Sequence, residues 1–194
     1  TPNTTDRQHK RYRYGNQPNI GLWNLYQLAN ALYPIIEEVA PLNKILEQHK
    51  IDFETKSLQM MKSKLGLFTS DEDDVKLIQD LEYTLQLVET DMTIFFRKLS
   101  GFTDNNSSLQ LIKESFYDFE NITPEIINTW NLWFKRYDER LKIERVSIEE
   151  RKEKMNAVNP KYVLRNYMSQ LAIDEADKGN YTLIDALFQL LKKP

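Results

Sequence analysis

The sequence predicts an all-α fold of about eight helices, with no significant sheet. Apolar residues recur at spacings of three and four along most of the chain, as on one face of a helix. Only five of the 194 residues are glycine, well below the usual share of about 7%. Glycine supplies the tight turns and bulges of strand-rich proteins, so its scarcity disfavours them. Capping signals also flank the periodic stretches.

The first twenty residues show no helical period and are predicted to form a loop, residues 1–20. A single helical domain over residues 21–194 is predicted to follow. Its first helix is indicated by apolar residues at helical spacing, and Pro34 should kink or split this helix because it lacks an N–H. The apolar positions are Leu22, Leu25, Tyr26, Ala29, Leu32 and Ile36.

A second, long helix is predicted from Leu42 to Leu65, ending at Gly66 in the left-handed conformation. Ser70 precedes the acidic residues Asp71, Glu72 and Asp73, which favours a helix start there. The remaining starts are marked by capping residues or by proline at the first helical position. They predict helices at 92–99, after Ser108, after Thr123–Pro124, after Ser147 with Glu150, from Asn159–Pro160 to Gly179, and from Thr182 with Asp185.

Composition excludes several classes of protein. The chain has no cysteine, so disulfides, thiolate zinc sites and thiol nucleophiles are excluded. Its two histidines, His9 and His49, are far apart in sequence and leave little for a histidine metal site. No nucleophile elbow, Walker loop or zinc-protease motif occurs. Paired acids such as Glu37–Glu38 are interpreted as charged helix starts or solvated faces rather than as catalytic or metal-binding carboxylates.

Charge and hydropathy restrict the partners. The net charge is −3 and the pI is about 5.5, so neither nucleic acid nor an anionic membrane is predicted as a partner. No apolar run reaches the roughly 20 residues that span a bilayer. With no signal peptide in the sequence, a cytoplasmic location is the expectation.

One non-helical stretch is typical of a binding loop. Arg11 to Pro18 combines cations, aromatic rings and amides, and such loops on a rigid scaffold often carry function. The three tryptophans, by contrast, lie at helical spacing among apolar residues and are predicted to pack in the core. The candidate loop residues are Arg11, Arg13, Tyr14, Asn16 and Gln17.

The same stretch resembles a known family. Residues 11–25, Arg-Tyr-Arg-Tyr-Gly-Asn-Gln-Pro-Asn-Ile-Gly-Leu-Trp-Asn-Leu, are similar to a block of the selenoprotein O (YdiU) family. The resemblance continues at residues 61–67 and 96–99 and is strongest at 159–167, Asn-Pro-Lys-Tyr-Val-Leu-Arg-Asn-Tyr. Smaller matches are Trp133, Arg136–Tyr137, Arg140–Leu141, Ala172–Ile173 and Gly179–Asn180.

This resemblance implies a protein-kinase-like fold and the transfer of AMP from ATP, with Mg²⁺ or Mn²⁺, to Ser, Thr or Tyr hydroxyls of proteins. The chain would be an irregular helical array, the kinase-like C-lobe plus a C-terminal extension. The Arg11–Pro18 loop would occupy the place of an activation segment, on the protein-substrate side. The helix from about Gly21 would organise the lobe.

The family's glycine-rich loop, its Lys and Glu, its catalytic Asp–Asn pair and its metal-binding Asp find no counterpart in the chain. The resemblance places them upstream of Thr1, and a selenocysteine or cysteine tail beyond Pro194. No catalytic, cofactor-binding or metal-binding residue is therefore assigned. ATP and Mg²⁺ or Mn²⁺ are implied only for a full-length protein.

Two hypotheses follow. The chain is either a non-catalytic helical part of a protein adenylyltransferase, supplying scaffold and substrate-side surface, or a freestanding helical module that docks a partner through an apolar groove. A helical carboxylate hydrolase has no motif to support it. Exposed apolar helix faces also predict self-association of the isolated chain.

Overall fold

The computed structural model describes residue 11 and residues 13–104 and 108–193. Within them, nine α-helices and two short 3₁₀ helices account for the regular structure. The only β feature in this part of the chain is an isolated bridge between Thr90 and Phe116, so the all-α prediction is confirmed. The α-helices are α1 (Gln17–Ile36), α2 (Val39–Leu65), α3 (Asp74–Thr84), α4 (Met92–Leu99), α5 (Ser108–Ile112), α6 (Pro124–Leu141), α7 (Ile148–Val158), α8 (Asn166–Ala176) and α9 (Thr182–Leu191). The 3₁₀ helices are Tyr14–Asn16 and Lys113–Ser115.

The chain divides into two compact units, unit 1 (Thr1–Leu58) and unit 2 (Gln59–Pro194). The predicted division was a loop over 1–20 and one helical domain over 21–194. Helical structure already begins at Tyr14, and α1 at Gln17. Pro18 lies in the first turn of α1, where its fixed φ suits the helix and its missing N–H costs nothing. The last residues of the predicted loop are therefore helical.

In unit 1, α1 continues through Pro34 and ends at Ile36. Pro34 therefore does not split the helix at its own position. Glu37 then adopts a left-handed conformation with φ 55°, and its N–H donates to the Tyr33 carbonyl. The break between α1 and α2 falls at Glu37 and Glu38. No described residue of unit 1 is buried.

Unit 2 has the core. Its centre is a cluster of aromatic rings from α4, α6 and the turn after α4, with ring centroids 5.0 to 6.2 Å apart. Such edge-on and stacked pairs add to the free energy of burying the rings. Trp130 and Trp133 are buried as predicted. The fully buried members include Phe95, Phe102, Trp130, Phe134 and Tyr137.

Several predicted helix boundaries in unit 2 are confirmed. Gly66 ends α2 with φ 70°. Thr123 precedes Pro124 at the start of α6, and the Ser147 hydroxyl accepts a hydrogen bond from the Glu150 N–H at the start of α7. These boundaries depend on neighbouring residues alone, which is why the sequence shows them.

The predicted helix start at Ser70 is wrong by several residues, because α3 begins at Asp74. The Asp71 carboxylate accepts from the Asp73 N–H, and the Asp71 N–H donates to the Asp74 carboxylate. These local side-chain bonds hold a turn in place of the first helical turn.

The prediction of a helix from Asn159–Pro160 to Gly179 is also wrong in its first part. Residues 159–165 form a non-helical strap, and α8 begins only at Asn166. The Asn159 side chain does not cap a helix. It is 1% exposed and exchanges hydrogen bonds with Lys64, whose ammonium donates to Asn159 Oδ1 (3.0 Å) and whose carbonyl accepts from Asn159 Nδ2 (2.9 Å).

No helix among the described residues is long and apolar enough to cross a membrane. The kinase-like arrangement stays a prediction from the resemblance.

Candidate functional site

The candidate loop lies directly before α1, and Asn16 is its central residue. The Asn16 side-chain amide donates to the Arg11 carbonyl (2.6 Å), and the Asn16 backbone N–H donates to the Arg13 carbonyl (2.9 Å). Asn19, in the first turn of α1, in turn donates to Asn16 Oδ1 (3.3 Å). These three hydrogen bonds connect Arg11, Arg13 and Asn16 to one another and to Asn19 in the first turn of α1.

Trp23 adds a second attachment for this loop. The Arg11 guanidinium carbon lies 4.5 Å from the centre of the Trp23 ring, a cation–π distance. Trp23 is 48% exposed, so the prediction that it packs in the core is wrong for this tryptophan. The helical spacing that suggested a core position instead brings the ring back over the loop, about two turns from the start of α1.

The remaining candidate loop residues are Arg13, Tyr14 and Gln17, and the structure describes the side chains of only two of them. Arg13 and Gln17 are exposed, and Gln17 is the first residue of α1. Tyr14 opens the 3₁₀ helix, but its side chain lies outside the described part of the structure, as does Tyr12. The loop residues that the structure brings together are therefore Arg11, Arg13 and Asn16, and Trp23 is a neighbour of Arg11 that the sequence did not predict.

The helix behind the loop has an unusual surface. From Gln17 to Ile36 the sequence contains no charged residue, and none of these residues is buried. A helix that is apolar on most sides is normally found inside a larger core. The exposed large apolar side chains of α1 are Trp23, Tyr26, Leu28, Leu32, Tyr33, Ile35 and Ile36.

Unit 2 contains a buried ionic network that the sequence did not suggest. Arg140 of α6, only 5% exposed, donates to the carboxylates of Asp74 (2.6 Å) and Glu144 (2.8 Å) and to the Thr69 carbonyl (3.0 Å). Lys62 forms a second ion pair with Asp74 at 2.8 Å. We call Lys62, Thr69, Asp74, Arg140 and Glu144 the Arg140 network. It ties the end of α2 and the start of α3 to the end of α6.

The pKa values in the Arg140 network follow from these contacts. Burial by itself would raise the pKa of the Asp74 carboxyl, but hydrogen bonds from Arg140 and Lys62 outweigh it and hold that pKa below its usual value. The pKa of Glu144 is likewise lowered, because hydrogen bonds from Thr69 and Arg140 exceed the effect of burial. Both carboxylates are therefore stabilised in the charged form, which suits structural ion pairs better than proton transfer.

The strap over residues 159–165 is attached at both ends. Arg97 donates to the carbonyls of Asn156 (3.1 Å) and Asn159 (2.9 Å) at one end. Arg165 pairs with Asp91, the N-cap of α4, at 2.6 Å at the other. Burial lowers the pKa of the Lys64 ammonium that meets Asn159. These contacts give the strap a structural role in unit 2.

The described residues offer no site that fits a catalytic divalent cation. They contain no group of three or more His, Asp or Glu side chains placed to hold a metal ion. The acidic residues of the Arg140 network are committed to ion pairs with Arg140 and Lys62.

The sequence matches one family over nearly its whole length. The family described as Protein adenylyltransferase SelO matches residues 1–192. A curated relative from Flavobacterium johnsoniae, Protein nucleotidyltransferase YdiU, is 55% identical over 197 residues, covering 100% of this chain and 38% of the relative.

Two relatives with lower sequence identity carry the same name. Proteins of the same name from Aromatoleum aromaticum and Rhodopirellula baltica are 42% and 41% identical, covering all of this chain and 37% and 38% of their own lengths. The chain thus spans less than two fifths of the length of these curated relatives.

Proposed function

Since the chain belongs to the SelO family of protein adenylyltransferases, we propose that it is part of an enzyme that transfers AMP from ATP to hydroxyl groups of proteins. The observation that carries this proposal is the match over residues 1–192, with 55% identity to a nucleotidyltransferase relative. The acceptors would be Ser, Thr or Tyr side chains, as the family resemblance implies.

Within such an enzyme, this chain supplies scaffold and part of the surface that meets the protein substrate. The family resemblance places the residues that would hold nucleotide and divalent metal outside this chain. The uncharged, unburied surface of α1 supports the scaffold role. A helix of this composition is stable when other polypeptide covers it, and the relatives are long enough to provide that cover.

The substrate-side role is carried by the loop before α1. Arg11 and Arg13 lie on a backbone that Asn16 ties down, and a loop that is already ordered loses less entropy when it binds. Charged donors of this kind contribute more to binding than neutral ones.

The test is a chimera in which this chain replaces the matching 38% of the Flavobacterium johnsoniae relative. We expect labelled AMP to pass from ATP to a protein substrate. Arg11→Ala or Arg13→Ala should lower that transfer by about tenfold, with little change in thermal stability. Unchanged transfer in both variants contradicts the substrate-side role, whereas a folded but inactive chimera contradicts the proposed enzyme.

Two measurements on the isolated chain separate this proposal from a freestanding interaction module. Calorimetry should detect no ATP–Mg²⁺ binding at micromolar concentration, and binding there contradicts the absence of a nucleotide site. Light scattering should show self-association through uncovered apolar surface. A strictly monomeric, cooperatively folded chain favours the module.

A further inference from the structure

The region before and within α1 has a charge unlike that of the rest of the chain. Residues 7–36 contain four Lys or Arg residues and no Asp or Glu, whereas the whole chain carries a net charge of −3. The cations are Arg7, Lys10, Arg11 and Arg13, all just before α1. A local excess of one sign on an otherwise acidic protein attracts a partner of the opposite sign.

Of the two cations that the structure describes in this segment, Arg11 and Arg13, Arg13 is the more exposed. Its side chain is exposed, and no carboxylate of the described residues forms an ion pair with it. Its carbonyl is held by the Asn16 N–H, while the neighbouring Arg11 is held by the Asn16 amide and the Trp23 ring. The backbone that carries Arg13 is thus ordered although the side chain is open.

We propose that Arg13 selects protein substrates that carry acidic side chains beside the acceptor hydroxyl, with Asn16 and Trp23 as positioning residues for its loop. This inference rests on the proposed function, because it names the substrate chemistry of the same loop. A guanidinium offers two parallel N–H donors that match the geometry of a carboxylate.

An acidic protein segment fits the observations better than a nucleic acid. A nucleic-acid surface needs cations distributed along the path of the phosphates. Here the four cations lie within seven residues, and the helix that follows is uncharged from Gln17 to Ile36. A short acidic segment next to a hydroxyl needs only a few cations close together, and the exposed Arg13 next to α1 can meet it alone.

The first test measures binding to the chain of residues 1–194 itself. Two fluorescent peptides share one serine acceptor and differ only in Asp and Glu replaced by Asn and Gln. We expect the acidic peptide to bind about two- to fivefold more tightly. The difference should vanish at about 1 M salt, where the Debye length is about 3 Å.

Matched variants identify the residue responsible. Arg13→Gln should abolish the preference for the acidic peptide, and Arg13→Lys should keep part of it. Arg145→Gln, which removes an exposed arginine of unit 2, should leave the preference unchanged. Trp23→Leu should weaken the preference, while Trp23→Phe should retain it because a ring still faces Arg11.

Equal affinity of the chain for the two peptides overturns the inference. The inference is also overturned if Arg13→Gln and Arg145→Gln reduce the preference for the acidic peptide equally. Tighter binding of a single-stranded RNA oligonucleotide or of ATP to the same residues also overturns it. In the chimera, Arg13→Gln should raise KM for the acidic peptide without lowering kcat. A chimera that transfers no AMP contradicts the proposed function, and peptide binding to the chain then decides the inference separately.

Discussion

Replacing Arg140 with alanine tests whether the Arg140 network holds unit 2 together. Arg140 is 5% exposed and donates to Asp74, Glu144 and Thr69. Removing one partner of a buried ion pair costs about 3–5 kcal/mol. Lys62 lies 2.8 Å from Asp74 and should still compensate that carboxylate in the variant, whereas Glu144 loses its cation. We therefore expect the free energy of unfolding to fall by about 3 kcal/mol, the lower end of that range.

The assay is urea unfolding followed by circular dichroism. With m-values of about 1–3 kcal/mol/M, a loss of this size lowers the midpoint by at least about 1 M. Arg136→Ala is the matched control, because Arg136 lies one turn away on α6 and pairs with Asp80 while 40% exposed. That exposed pair should contribute less than about 1 kcal/mol. Equal midpoints for the two variants would refute the assignment of stability to the buried network.

Three further predictions concern unit 2. The pKa of Asp74 is lowered in the folded state, so its ion pairs contribute fully to the free energy of unfolding above the unfolded pKa of about 3.9. This contribution is lost as the pH falls through the folded pKa. In Asp74→Asn the free energy of unfolding should therefore change less with pH in the acid range. Gly66→Ala should lower the free energy of unfolding by about 2 kcal/mol or more and Gly179→Ala by about 1 kcal/mol, as measured by thermal unfolding. Both glycines have a positive φ, but only at Gly66 would an added Cβ lie 2.8 Å from side-chain atoms. Tyr137→Phe should cost about 1–2 kcal/mol in urea unfolding, because the buried hydroxyl donates to the Leu65 carbonyl at 2.7 Å; no loss there contradicts a net role for this bond.

The helices of unit 2 were predictable where the signal is local. The caps at Thr123 and Ser147 and the left-handed Gly66 involve residues within one turn of each other. The strap over residues 159–165 was not predictable, since Asn159 finds its partner Lys64 95 residues earlier. An Asn–Pro pair in the sequence predicts a helix start, and only the folded structure shows that Asn159 instead binds Lys64.

The candidate loop was predictable by its residue types but not by its contacts. Cations, amides and aromatic residues before a helix indicate a binding loop, and the structure ties Arg11 and Arg13 to Asn16. Trp23 was assigned to the core because an aromatic residue at helical spacing is usually buried. Its contact with Arg11 spans twelve residues, and no spacing rule distinguishes it from core packing.

The distribution of buried residues explains why the loop and the stable core belong to different units. All the buried apolar side chains of the described residues lie in unit 2, and their burial contributes favourably to the free energy of folding of that unit. None of the described residues of unit 1 is buried, so α1 draws little stability from packing within the described chain. The conformation of the loop depends on α1 through Asn19 and Trp23. A polypeptide that covered the apolar surface of α1 would therefore also stabilise the loop, and in the proposed enzyme this would couple assembly to the proposed recognition of the substrate.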